Sequence, residues 1–130
     1  MSKIERVEDI KAWREARSIV GSVYKLTCDG PWARDYGLRD QVRRAAVSIA
    51  CNIAEGFARE TDVEFARFLF IARGSAAEVK TQMYIALDLG YVDQMTFQAM
   101  YARLDEVSRM ITGFIQYLRT ERSNRLTTVD

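Results

Sequence analysis

Two carboxylates, Glu55 and Glu78, stand in otherwise apolar helical stretches of the sequence. If they met across a domain they could share a proton or hold a cation, whereas ion pairs with Arg44 or Arg73 would make them structural. Cys51 could act as a nucleophile only with a base beside it, and its apolar neighbours suit a small buried side chain instead. Histidine is absent from the whole chain, which removes the commonest metal ligand and the commonest base near neutral pH. Di-iron helical proteins need Glu-x-x-His pairs and ribonucleases of the HEPN type need Arg-x-x-x-x-His, so neither can be built here. Helical pyrophosphohydrolases hold magnesium with Glu-x-x-Glu clusters, but the spacing Glu5 to Glu8 falls before the first helical stretch. Glycines are scattered singly, with no phosphate-binding loop. The residue types therefore predict no enzyme, no metal and no cofactor.

Binding is the remaining chemistry. Arg39, Arg43 and Arg44 form one cluster and Arg119, Arg122 and Arg125 a second, and guanidinium groups suit bidentate phosphate contacts. Asp35, Asp40, Glu60 and Glu121 lie close by in sequence, and arginines late in a helix also offset its dipole. The formal charge of the 130-residue chain is only +1, so any field that attracts nucleic acid must be local. Cys28 and Cys51 lack paired spacing, which predicts free thiols. The N-terminal MSKIERVED is charged and carries no apolar run, which predicts a cytoplasmic protein with no membrane partner.

The elements that must position these residues are helices. One proline in the chain argues against a strand-and-turn architecture, and the length fits one domain, residues 1–130. The first helix is expected over about 9–27, with Asp9 as N-cap and Ile10, Trp13, Ala16, Val20, Val23 and Tyr24 on one face. A loop through residue 37 follows the Gly30-Pro31 break. The second helix spans about 38–57. The third spans about 62–89, opened by a Thr61-x-x-Glu64 capping box and closed by Gly90. Phe65, Phe68, Leu69, Ala72, Ala76, Val79, Met83, Ala86 and Leu87 share its inner face. The fourth spans about 94–120 from an Asp93 cap, with Phe97, Met100, Leu104, Val107, Ile111, Phe114 and Leu118 as a seam, and 121–130 is expected to fray into a polar tail. Short connections make the whole an all-α, antiparallel up-down-up-down four-helix bundle.

The second helix has a peculiarity. Val42, Ala45, Ala46, Ile49, Ile53 and Gly56 make one apolar stripe. A second, Val47, Ala50, Cys51 and Ala54, widens the apolar surface beyond what one core requires. Another helix, from the same chain or from a second copy, is expected to cover it. Between them runs a polar row, Gln41, Arg44, Ser48, Asn52 and Glu55. It reads either as a solvated strip or satisfied network, or as a surface that sets the register of an oligomer or meets a partner.

Tyr36-Gly37-Leu38, then Gln41 to Ile49, then Asn52-Ile53-Ala54-Glu55-Gly56 resemble the signature of the four-helix bundle proteins encoded by intervening sequences within large-subunit ribosomal RNA genes. The likeness extends to Glu8 to Trp13, Phe65 to Leu69, Gly74 to Glu78 and Asp88 to Tyr91. It implies a small bundle without catalytic activity that assembles into a homo-oligomeric ring, typically a pentamer. The family is distantly similar to accessory proteins of diversity-generating retroelements, which implies possible RNA or DNA binding, or a nucleic-acid-processing protein as partner. Where the family usually has proline before its Asn-Ile-Ala-Glu-Gly motif, this chain has Ala50, which restores a backbone N–H and questions the kink expected there. The functional expectation is a homo-oligomeric scaffold or adaptor; the alternative is an RNA-binding accessory factor.

Overall fold

The computed structural model describes residues 4–128, with side chains through Asn124. A 3-10 turn at Val7–Asp9 precedes α1 (Lys11–Leu26), a short α2 (Gly30–Arg34), α3 (Tyr36–Phe57), α4 (Asp62–Asp88) and α5 (Gln94–Thr128). No strand occurs among the described residues. The four long helices share one core: α1 and α4 each pack against both α3 and α5, and α2 leans on α3.

Core packing follows side-chain period. All six residues of the first apolar stripe of α3 are buried. The α5 seam is buried from Phe97 to Ile111, but Ile115 takes the inward position that Phe114 was expected to fill. On α1 the buried face is Ala12, Ala16, Ile19 and Val23. It is rotated from the expected one, leaving Trp13 and Val20 half-buried and Tyr24 exposed.

The helix ends show where local chemistry decides. Thr61 Oγ1 accepts from the Glu64 N–H at 3.2 Å, while the Glu64 carboxylate turns to Arg67 at 2.9 Å, so only one half of the expected box forms. Asp93 caps α5 through the Thr96 N–H at 2.7 Å. Gly90 is left-handed (φ 74°), and the bonds from Gly90 N to Leu87 O and from Tyr91 N to Ala86 O close α4 as a glycine-terminated helix should.

Several expectations are corrected. Asp9 does not cap α1: its carboxylate accepts from the Glu5 and Arg6 N–H groups, both at 3.0 Å, and Ile10 precedes the helix without a side-chain cap. Those two bonds hold the Asp9 carboxyl below its usual range. The segment read as a loop contains α2, started by Pro31 in the first turn, where its missing N–H costs nothing. Trp32 of α2 is 1% exposed, stacks 6.2 Å from Tyr91, and belongs to the core. Asp35 then starts α3 two residues early by accepting from Leu38 N. α3 runs unbroken through Ala50. α5 continues to Thr128 where a frayed tail was expected, because its helix-favouring Arg, Glu and Leu residues extend the ladder beyond the core. Positions 129 and 130 of that expected tail lie outside the described residues.

Candidate interaction surfaces

The two helical carboxylates do not meet. Ser48 of α3 faces Ser75 of α4 across 2.8 Å, and Gly56 of α3 lies against Phe65 near the start of α4. In that register Glu78 stands level with about residue 45 of α3, so it is roughly 15 Å along the helix axis from Glu55 at 1.5 Å per residue. Glu55 is paired neither with Arg44 nor with Arg73 but with Arg59, one turn on, at 2.7 Å, and Arg73 donates to Thr112 Oγ1 at 3.0 Å. Among the described residues no group of three His, Cys, Asp or Glu side chains could hold a metal ion. Cys51 is exposed rather than buried, because its position on α3 points away from the core stripe.

The polar row divides. Asn52 Nδ2 donates to Ser48 O and Oγ, both at 2.9 Å, and with Ser75 these groups form a satisfied link between α3 and α4. Gln41, Arg44 and Glu55 are exposed. Gln41 and Arg44 border a groove of about 280 Å³ that also reaches Glu78 and the largely buried Gln82, whose Oε1 has no hydrogen-bond partner among the described residues. Sequence periodicity marks α4 positions 75 and 82 as inward but cannot say that they meet α3 rather than α5.

Of the second apolar stripe, Val47, Ala50 and Ala54 are half-buried, and Ala50 packs on the core. The neighbouring α1 supplies part of that cover, since Arg43 reaches across to it. Val47 and Cys51 border an open groove of about 630 Å³ beside Tyr24. A broader uncovered apolar face lies elsewhere, on the outer side of α4. Phe70, Ile71, Tyr84 and Ile85 are 37%, 42%, 50% and 41% exposed. Between Phe70 and Ile85 the other exposed positions are Gly74, Ala77, Glu78 and Thr81, and at the Phe70 end the guanidiniums of Arg73 and Arg119 rest on the ring. The sequence carries a signal for it: α4 is apolar on both sides, and its inner stripe is the more regular of the two.

The arginines also separate. Arg43 is a structural staple: Nε donates to Thr27 Oγ1 at 2.8 Å, Nη2 to Thr27 O at 3.1 Å, and the guanidinium lies 4.3 Å from the Tyr24 ring centre. Arg39 pairs with Asp40 at 3.0 Å, donates to Ala33 O at 3.0 Å and stacks on Tyr36. Arg44 is exposed and lines both grooves of α3. Arg119 and Arg122 lie far from these, beside the first turns of α4, in a groove with Arg67 and Phe70. The side chain of Arg125 lies outside the described residues. Arg67 and Glu64 stabilise each other's charges through their hydrogen bond, which lowers the Glu64 carboxyl and raises the guanidinium.

Sequence and geometry together define an all-α protein whose four long helices enclose one core and whose chemistry lies at its surfaces. More particularly, the chain belongs to the 23S rRNA-intervening sequence protein family, whose model matches residues 8–113. Among solved structures it is similar to a protein of unknown function from the S23 ribosomal protein family of Bacteroides thetaiotaomicron. The two are 17% identical with a TM-score of 0.74, over 80% of this chain and 97% of that one, which establishes a shared fold. Comparison with curated proteins yields no match. No helix among the described residues is long and apolar enough to cross a membrane.

Proposed function

We propose that the protein is a non-enzymatic, cytoplasmic, homo-oligomeric scaffold, an up-down-up-down four-helix bundle whose copies close into a ring, and by family resemblance a pentamer. The contact register of α3 with α4 and the short connections between successive helices favour that topology. The single observation that carries the oligomer is the outer face of α4. Contiguous apolar surface of this kind is rarely left to water by a monomer, and a ring offers the same patch to each neighbour in turn. The α3 flank formed by Val47, Cys51 and Ala54 supplies the complementary small-residue surface.

Light scattering of the native protein tests this. A pentamer of 14.9 kDa chains has a mass of about 75 kDa. Tyr84→Glu with Ile71→Glu, and separately Ala54→Arg, are expected to lower the mass while circular dichroism stays helical. A native mass of one chain at micromolar concentration refutes the scaffold reading. A second reading, an RNA-binding accessory factor, is favoured by one observation, the stacking of four arginines on two neighbouring phenylalanines of α4.

A further inference from the structure

Phe68 and Phe70 lie two residues apart near the start of α4. Arg59 and Arg67 stack on the first at 4.8 and 4.7 Å from its ring centre, and Arg73 and Arg119 on the second at 4.9 and 5.1 Å. Phe70 remains 37% exposed and forms one wall of an open groove of about 300 Å³ between α4 and α5, with Arg67, Arg119, Arg122 and Asp62 around it. That volume is at the lower end of those that hold small organic ligands. Three arginines face one aspartate there. Glu64 already engages Arg67, whereas neither Arg119 nor Arg122 is ion-paired among the described residues.

We infer that this groove binds single-stranded nucleic acid, one base taking the place of the Arg119 guanidinium on Phe70 while Arg119 and Arg122 turn to the adjoining phosphates. The inference rests on the RNA-binding reading above and gives it a site. The chemistry favours a single strand over a duplex, because an aromatic ring set in a narrow groove is useful only to a base that can leave its stack. It favours a polynucleotide over a lone phosphate, because Arg119 and Arg122 follow one another by a turn of α5 with Arg67 on α4 and an aromatic ring among them, and because guanidinium groups resting on a ring hold that ring's surroundings cationic while leaving other N–H donors free. The site's residues all come from one chain, but Phe70 also borders the outer α4 face offered to a neighbouring copy, so nucleic acid and assembly through that end of the face compete for it. It also moves the phosphate contacts away from Arg39 and Arg43, which are held by Ala33, Asp40 and Thr27.

Fluorescence anisotropy of labelled oligo-U and oligo-dT of about 12 nucleotides, titrated with the full chain at several salt concentrations, tests the assignment. Binding is expected at about 20 mM salt and to weaken as salt rises. Arg119→Gln with Arg122→Gln should reduce the log–log salt slope by about 1.4, or about 0.7 for each lost phosphate contact on a single strand. Phe70→Ala should weaken binding about tenfold with the slope unchanged. Arg44→Gln, on the opposite half of α3, should leave both unaltered. Circular dichroism confirms folding of these surface variants, and light scattering on the same samples reads assembly independently. Binding that the groove variants leave intact overturns the site but not the RNA-binding reading. No binding at low salt overturns both, and preference for a duplex of equal length overturns the stacking role of Phe70.

Discussion

Replacing Gly56 with alanine adds one methyl group, and its effect depends on where that methyl points. At Gly21 and Gly113, both inside helices, an added Cβ meets nothing within 4 Å. The substitution there should stabilise by about 0.5–1 kcal/mol through helix propensity alone. At Gly56 the same atom would lie 2.8 Å from Phe65 Cδ1, 2.9 Å from Phe68 Cβ and 3.1 Å from Phe65 O. Two of these neighbours cannot swing aside, since one is a main-chain oxygen of α4 and the other a Cβ fixed to its backbone. The third belongs to a ring held between Phe57 at 6.2 Å and Phe114 at 5.1 Å. With three short contacts at once, overpacking costs about 2–3 kcal/mol, the upper part of its range, and the propensity gain offsets about 1, leaving a net loss of roughly 1–2 kcal/mol. In a chain of this size that corresponds to a fall in melting temperature of about 3–8 °C, against a rise of a few degrees for the two controls. Urea unfolding followed by far-UV circular dichroism, at one fixed protein concentration because assembly would couple to stability, reads all three variants. A Gly56→Ala protein as stable as Gly21→Ala would refute the close approach of α3 to α4.

Thr61→Ala, which removes the acceptor for the Glu64 N–H at the start of α4, should lower stability by about 1 kcal/mol in the same urea assay. Tyr91 donates its hydroxyl to Asp35 at 2.9 Å, and that bond, with burial and the aspartate charge, raises the phenol above its usual range. A raised folded value means the protonated phenol is the stabilised form. The contribution is therefore present below about pH 10 and lost as pH rises through the folded value. Wild-type melting temperature should fall more steeply above pH 10 than that of Tyr91→Phe; parallel curves would show that the bond has no part in alkaline stability.

The inner faces were legible because burial and helical period are local properties. Val42, Ala45, Ala46, Ile49, Ile53 and Gly56 recur at the right spacing, and the structure buries all six. The same reasoning placed Tyr24 inside α1, yet Tyr24 is exposed and carries the Arg43 guanidinium. An amphipathic ring fits a stripe by type, and only the position of α3 decides that a cation meets it. Trp32 escaped notice for the opposite reason: a Gly-Pro break reads as the end of one helix, while the short helix that follows is recruited by Tyr91, far along the chain.

The surfaces that bear on function were less legible because they are made of contacts between helices. Ser48, Asn52 and Glu55 share a face, but only the register against α4 makes the first two a closed network with Ser75 and leaves the third to Arg59. By sequence Arg119 reads either as a phosphate contact or as a dipole-compensating residue in the last turn of its helix. Continuation of α5 beside the first turns of α4 puts its guanidinium on Phe70 instead. The apolar excess expected on α3 is partly absorbed by α1, whereas α4, whose inner face was read without difficulty, exposes Phe70, Ile71, Tyr84 and Ile85 on its other side. A helix with apolar residues on two faces gives a weak periodic signal, and the stronger stripe conceals the one that is available to another molecule. Interaction surfaces in such a fold are therefore better sought among the large apolar residues that the core stripe leaves out than within the stripe itself.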